Sequence, residues 1–362
     1  MVLVILSPQH PLNNGATSDS ALVKNLRGHR TEQLPVWFMR QAGRSLPEYR
    51  KLRENVAMLD SCLDPALAAE ITLQPVRRHG VDAAIFFSDI VIPLKLAGID
   101  VEIVPGVGPV LANPIRTHSQ ADALQLIEHE TLEPISKAVQ ILVSELGQTP
   151  LIGFGGAPFT LASYLIEGGP SKDLPHSRAM MAGDPELWSK VLSWCASVTA
   201  QFITAQVQSG ASALQVFDSW AGRLTPDDYI TFALPYSKQL FEQLKALEDS
   251  NGIPVPRLHF GVGTGQILVP MFEVGATAIG IDADTNLTWA NQQLGGAVPL
   301  QGNISVEVLN QPWQVIRDHV VEVVEAGKFA PGHVVNLGHG VPPDTDPGTL
   351  TRITELVHEL RP

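Results

Sequence analysis

Short apolar runs alternate with long amphipathic stretches along this chain. Runs at 36–39, 83–87, 151–154, 213–217, 257–260, 276–281, 298–300 and 334–337 predict strands, because they are short and bounded by turn formers. The intervals at 46–59, 65–79, 122–146, 185–208, 226–247 and 306–325 carry apolar residues at helical spacing. Asp64, Asp184 and Thr225 each precede a proline, which reads as an N-cap followed by proline in the first turn. Gly80, Gly147, Gly210, Gly275 and Gly327 fall near expected helix ends, where a left-handed residue is favoured. Residues 7–18 are turn formers without periodicity, so residues 1–17 are expected to form a loose, flexible tail. Eight strands alternating with helices predict an α/β fold: a single-domain (β/α)8 TIM barrel over residues 18–362. The alternative is a doubly wound sheet. Its phosphate turn is not matched by Gly261, Gly263 and Gly265, whose spacing is G-x-G-x-G.

The length of 362 residues is compatible with one barrel, and a 44% hydrophobic content excludes a disordered chain. Two cysteines, Cys62 and Cys195, with no C-x-x-C exclude a disulfide framework and fit a reducing, cytoplasmic setting. No apolar run reaches the ~18 residues of a membrane span, and residues 2–6 are too few for a signal core. The net charge of −13 argues against nucleic acid and anionic membranes as partners. Its distribution changes that picture for small anions. Residues 24–53 hold eight Lys/Arg against two acidic residues, a local +6 that leaves −19 elsewhere.

In a barrel, chemistry collects at the carboxyl ends of the strands. The first expected strand runs into Arg40, Gln41, Ala42, Gly43 and Arg44, and the second into Ser88 and Asp89. Tyr164 follows the third, Asp218, Ser219 and Trp220 the fourth, and His339 the eighth. No G-x-S-x-G, H-E-x-x-H or P-loop is present, and no His/Cys spacing suits zinc. Two guanidinium forks suit a ligand bearing carboxylates. An aspartate within such a cationic rim suits a donor or a developing positive charge on that ligand.

Three blocks carry a resemblance. They are Pro35 to Arg44 with Leu46 to Arg50, Gly153 to Leu161 followed by Tyr164 and Glu167 to Gly169, and Leu337 to Gly340. Phe87 to Asp89, Phe217 to Ser219 and Leu300 to Asn303 match in the same order. Over residues 20–360 the chain resembles the uroporphyrinogen decarboxylase family of haem biosynthesis. The resemblance implies a single-domain (β/α)8 barrel, typically a homodimer, working without metal or cofactor. It implies the substrate uroporphyrinogen III, whose four acetates become methyl groups as coproporphyrinogen III forms. It further implies that Asp89, Arg40 and Tyr164 are catalytic, with Arg40 the favoured proton donor. Arg40, Gln41, Ala42, Gly43, Arg44, Asp89, Tyr164, Ser219 and His339 are implied to bind substrate. Two alternatives remain open: a zinc- and corrinoid-linked methyltransferase of the same fold, and a non-catalytic porphyrin-binding protein.

Overall fold

The computed structural model describes residues 4–360. Eleven strands are numbered in chain order. Seven form one parallel sheet: β2 (Ala84–Ile85), β5 (Leu151–Gly156), β6 (Ala213–Phe217), β8 (Arg257–Phe260), β9 (Ala278–Gly280), β10 (Leu300–Gln301) and β11 (His333–Val334). Each pairs with its neighbour in chain order, for example Ile152 with Ala213 and Leu214 with Arg257. Between these strands run helices that bury their apolar faces. Pro185–Gln208 covers β5 and β6 and buries Trp188, Phe202 and Ile203. Its span agrees with the sequence expectation residue for residue, because the Asp184 carboxylate accepts the Leu187 N–H (3.0 Å) at its start.

The sheet is curled, and its outer strands β2 and β11 flank the segment 35–37. Val335 N donates to Pro35 O (2.8 Å), Trp37 N to Val335 O (3.3 Å) and Asp82 N to Val36 O (2.9 Å). Val36 and Val335 form a parallel bridge. The strand expected at 36–39 is thus reduced to a bridge. Side-chain amides take over its ladder: Phe38 N donates to Gln41 Oε1 (3.0 Å) and Met39 N to Asn336 Oδ1 (2.9 Å).

Four helix expectations are redrawn, among them 226–247, which becomes Pro226–Asp228, a π-helical turn at Tyr229–Ala233 and Leu234–Leu244, and 306–325, whose helix is Trp313–Gly327. The 46–59 interval splits into Pro47–Leu52 and Met58–Leu63, with Asn55 at φ 116° between them. The 122–146 interval becomes His118–Asp122, a 3₁₀ turn at His129–Leu132 and Glu133–Leu146. After β2 an antiparallel hairpin is inserted, β3 (Val101–Val104) with β4 (Gly108–Leu111).

The loose tail expected for residues 1–17 is corrected over its described part, 4–17. Here β1 (Val4–Ile5) pairs in parallel with β7 (Leu247–Glu248). Leu6 and Leu12 are buried, His10 Nε2 lies 2.9 Å from Val207 O, and the Thr17 and Ser212 hydroxyls meet at 2.8 Å. Turn formers gave no period to read, yet these residues are held by contacts with Val207, Ser212 and β7. Residues 1–3 lie outside the described part. Among the described residues, no helix is long and apolar enough to cross a membrane.

Candidate active site

The carboxyl ends of the parallel strands bring the expected residues onto one rim. Arg40 sits where segment 35–39 ends, in the left-handed region at φ 61°. A non-glycine residue held there costs about 1 kcal/mol or more and persists only where its surroundings enforce it. Two glycines provide the room. A Cβ on Gly43 would stand 2.8 Å from the Arg40 carbonyl oxygen, and one on Gly340 would stand 2.5 Å from Arg40 Cδ. The aliphatic stem of Arg40 therefore lies over Gly340, immediately after His339. Val341 N donates to Met39 O (2.8 Å) and pins the two segments together.

Asp89 follows β2 and is half-buried; its Oδ1 accepts the Val91 N–H at 3.0 Å. Desolvation pushes its carboxyl above the ordinary range, against the opposing pull of the Val91 N–H and the Arg40 cation. Tyr164 lies on the helix Pro158–Glu167 after β5. Burial pushes its phenol up, and the charges of Asp89 and Arg40 both reach it. Arg40, Asp89 and Tyr164 thus act on one another electrostatically. Tyr164 also meets the ring of Trp220 edge-on at 5.7 Å, which places the Ser219 turn beside it. Ser219 and His339 are exposed on this rim.

Arg44 is exposed and lines an open pocket with Tyr49, Arg50, Arg53 and Pro343. Its companions are engaged by backbone: Arg50 donates to the Arg44 and Ser45 carbonyls, and Arg53 to those of Val56 and Ala57. Among the described residues, no carboxylate stands within ion-pair distance of Arg40 or Arg44. Guanidinium groups without a protein partner are available to an anion from solution.

Gln41 differs from its neighbours. Its side chain is buried, with Nε2 donating to Ala83 O (3.1 Å) and Oε1 accepting from Phe38 N (3.0 Å), so it holds the loop from beneath. Ala42 and Gly43 are half-buried at the rim. Sequence reasoning named Trp220 beside Ser219 but not its packing against Tyr164, and it missed Asn336 under Met39 and Gly340 under Arg40. Only Gly340 left a signal, as one of two glycines flanking His339. Among the described residues, no group of three or more His, Cys, Asp or Glu side chains is placed to hold a metal ion.

Residues 17–360 match the family model described as uroporphyrinogen decarboxylase (URO-D). A uroporphyrinogen decarboxylase of Arthrobacter sp. (strain FB24) is 57% identical over 349 residues, covering 96% of this chain and 99% of the relative. One from Leifsonia xyli subsp. xyli is 52% identical over the full length of both. Among solved structures, a methyltransferase from Methanosarcina mazei superposes with a TM-score of 0.77 at 17% identity, over 94% of this chain and 97% of that one. That likeness shows a shared fold. The family match and the close relatives show more: the chain belongs to the uroporphyrinogen decarboxylase family, carboxy-lyases of haem biosynthesis.

Proposed function

We propose that this chain converts uroporphyrinogen III to coproporphyrinogen III by removing carbon dioxide from the four acetate side chains. The observation that carries the residue assignment is the shared rim of Arg40, Asp89 and Tyr164, with two arginines free of protein carboxylates. Arg40, Arg44 and His339 bind substrate carboxylates, and Ser219 contacts the substrate from the turn beside Tyr164. Ala42 and Gly43 shape the loop against the macrocycle, and Gln41 holds that loop in place.

Loss of carbon dioxide leaves an electron pair that needs a sink, and many decarboxylases use a cofactor for this. A pyrrole supplies its own. Protonation of the α carbon next to the ring carbon bearing the acetate gives a cation delocalised over that ring carbon and the ring nitrogen. The C–C bond to the carboxylate then breaks toward that cation. Protonation of the resulting exocyclic methylene gives the methyl group, and loss of the proton first added to the ring restores the pyrrole. Asp89, ionised, accepts hydrogen bonds from the pyrrole N–H groups and stabilises the cationic stage. Because it is held in place by Val91 N, little reorganisation is needed. Tyr164 bounds the same space. Arg40 directs the acetate, and its guanidinium is the first candidate for the proton. A guanidinium is a weak acid, so a bound water or a substrate carboxyl is the competing donor.

We further propose that segment 35–37 closes the curled sheet into a (β/α)8 barrel, supported by the Val36–Val335 bridge. We propose one domain, acting as a cytoplasmic homodimer; sedimentation of the purified protein at the mass of a monomer would refute the dimer. The test of function is anaerobic incubation with uroporphyrinogen III and chromatography of the oxidised porphyrins. Porphyrins with progressively fewer carboxylates, ending at coproporphyrin III, are expected. Tight binding without carbon dioxide release would instead mark a porphyrin-binding protein.

A further inference from the structure

Beneath the Ser219 turn lies a polar cluster that the proposed mechanism does not use. Asp218 and His259 are both completely buried. Asp218 Oδ1 accepts a hydrogen bond from the Thr160 hydroxyl (2.8 Å), and that same hydroxyl accepts the Trp220 N–H (3.2 Å). Asp218 Oδ2 stands 3.5 Å from His259 Nε2, and neither atom has another polar partner. His259 Nδ1 faces the Met271 carbonyl at 3.0 Å. A carbonyl only accepts, so Nδ1 carries a hydrogen. In a neutral imidazole Nε2 would then present a lone pair to a buried carboxylate oxygen, which is repulsive in a dry interior. One proton shared between Nε2 and Oδ2 removes that repulsion, whichever atom holds it.

The placement of Thr160 gives the pair its reach. Thr160 and Tyr164 lie four residues apart on the helix Pro158–Glu167, and so on one face of it. Trp220, whose N–H ends on Thr160, packs edge-on against Tyr164. Asp218 is itself seated from below: its N–H donates to Phe260 O (2.7 Å), next to His259 on β8.

We propose that Asp218 and His259 are a buried, proton-sharing positioning pair that ties the Ser219 turn to the helix bearing Tyr164. Two walls of the active site are thereby set by one hydrogen-bonded unit. The proposal rests on the reading of Tyr164 and Ser219 as substrate-facing.

The test measures kcat and KM for uroporphyrinogen III, with circular dichroism melts as the control for folding. T160V, D218L and H259L each lose kcat by about tenfold or more, with KM changed less, because misplacement of site walls acts on the reacting geometry. T160S restores the hydroxyl and the rate. D218N keeps both contacts, its amide donating to His259 Nε2 and its oxygen accepting from Thr160, and holds kcat within about threefold. The double variant D218L/H259L is no worse than the poorer single variant, since the two residues act as one unit. Wild-type kcat in folded T160V and D218L, with Y164F impaired, overturns the proposal while leaving the site reading intact. Equal loss in D218N and D218L also overturns it, because Asp218 would then act through its charge. Y164F and S219A both at wild-type rates overturn the site reading and the proposal with it.

Discussion

Asp89 is the residue at which function and stability pull apart. Desolvation raises its carboxyl pKa, so at neutral pH the folded state holds the ionised form less favourably than the unfolded chain does. That cost is absent below the unfolded pKa and is present in full above the raised one. Asp89→Asn removes the charge, and a higher melting temperature at pH 7 is expected together with a loss of about 10²-fold or more in kcat. Near-normal turnover in the variant would sink the electrostatic role. The same shift sets pH dependence: the acid limb of kcat/KM should lie above the ordinary aspartate range and vanish in Asp89→Asn. Gly340 offers a second test. Its φ lies outside the left-handed region, so alanine fits its backbone but displaces the Arg40 stem. Gly340→Ala should lower kcat/KM by roughly 10–10²-fold while the melting temperature changes little. An unchanged rate would mean that the seat of Arg40 is not critical. At this scale the sequence located Arg40, Asp89, Ser219 and His339 on the carboxyl side of the sheet, because each stands just past an apolar run, whereas Tyr164 lies on the helix after β5. It could not show Asp218 bonded to Thr160, because 58 residues separate them and nothing in either block pairs one with the other.

At the scale of elements, long periodic segments were legible and termini were not. Pro65–His79 and Pro185–Gln208 agree with their patterns because a capping aspartate, an early proline and an uninterrupted apolar face all point the same way. The 46–59 interval looked continuous. It breaks because Arg53 turns its guanidinium onto the Val56 and Ala57 carbonyls and closes a loop that no periodicity encodes. Residues 4–17 illustrate the same limit: their order comes from contacts with Val207, Ser212 and Leu247, all far along the chain. The last helix, Pro347–Glu359, is tied to the sheet seam by His358. Its Nε2 lies 2.8 Å from Asp82 Oδ2, the oxygen that also accepts the Val36 N–H (2.8 Å). The hydrogen bond to Asp82 holds the His358 pKa above 6.5. A folded-state pKa that is raised contributes stability fully present below the unfolded value and lost as pH rises through the folded one. His358→Gln should therefore lower the melting temperature more at pH 6 than at pH 9, by under about 1 kcal/mol for a partly exposed pair. An equal decrement at both values would remove the ion pair from the account.

Across the whole molecule, the charge of −13 is a poor description of what a substrate meets. Eight cationic side chains fall within residues 24–53, and among those without a carboxylate partner Arg40 and Arg44 are exposed on the loop that follows segment 35–39. Attraction of an octacarboxylate to exposed guanidinium groups is screened by salt, with a Debye length of about 10 Å at 0.1 M. KM for uroporphyrinogen III should rise several-fold between 0.05 and 0.5 M sodium chloride, while kcat stays nearly constant. A KM indifferent to salt would assign recognition to the ring rather than to its carboxylates. The cationic cluster and the last strand also have a relation in time. Arg40 belongs to the first ninth or so of the chain, but its stem rests on Gly340, and Met39 is pinned by Val341. Domains gather their amino-terminal parts first during synthesis. A nascent chain therefore carries its main acid and its main cation long before it can hold them in register. On the role proposed for Arg40, a product ending before Gly340 should bury most of its strands yet show no turnover of uroporphyrinogen III.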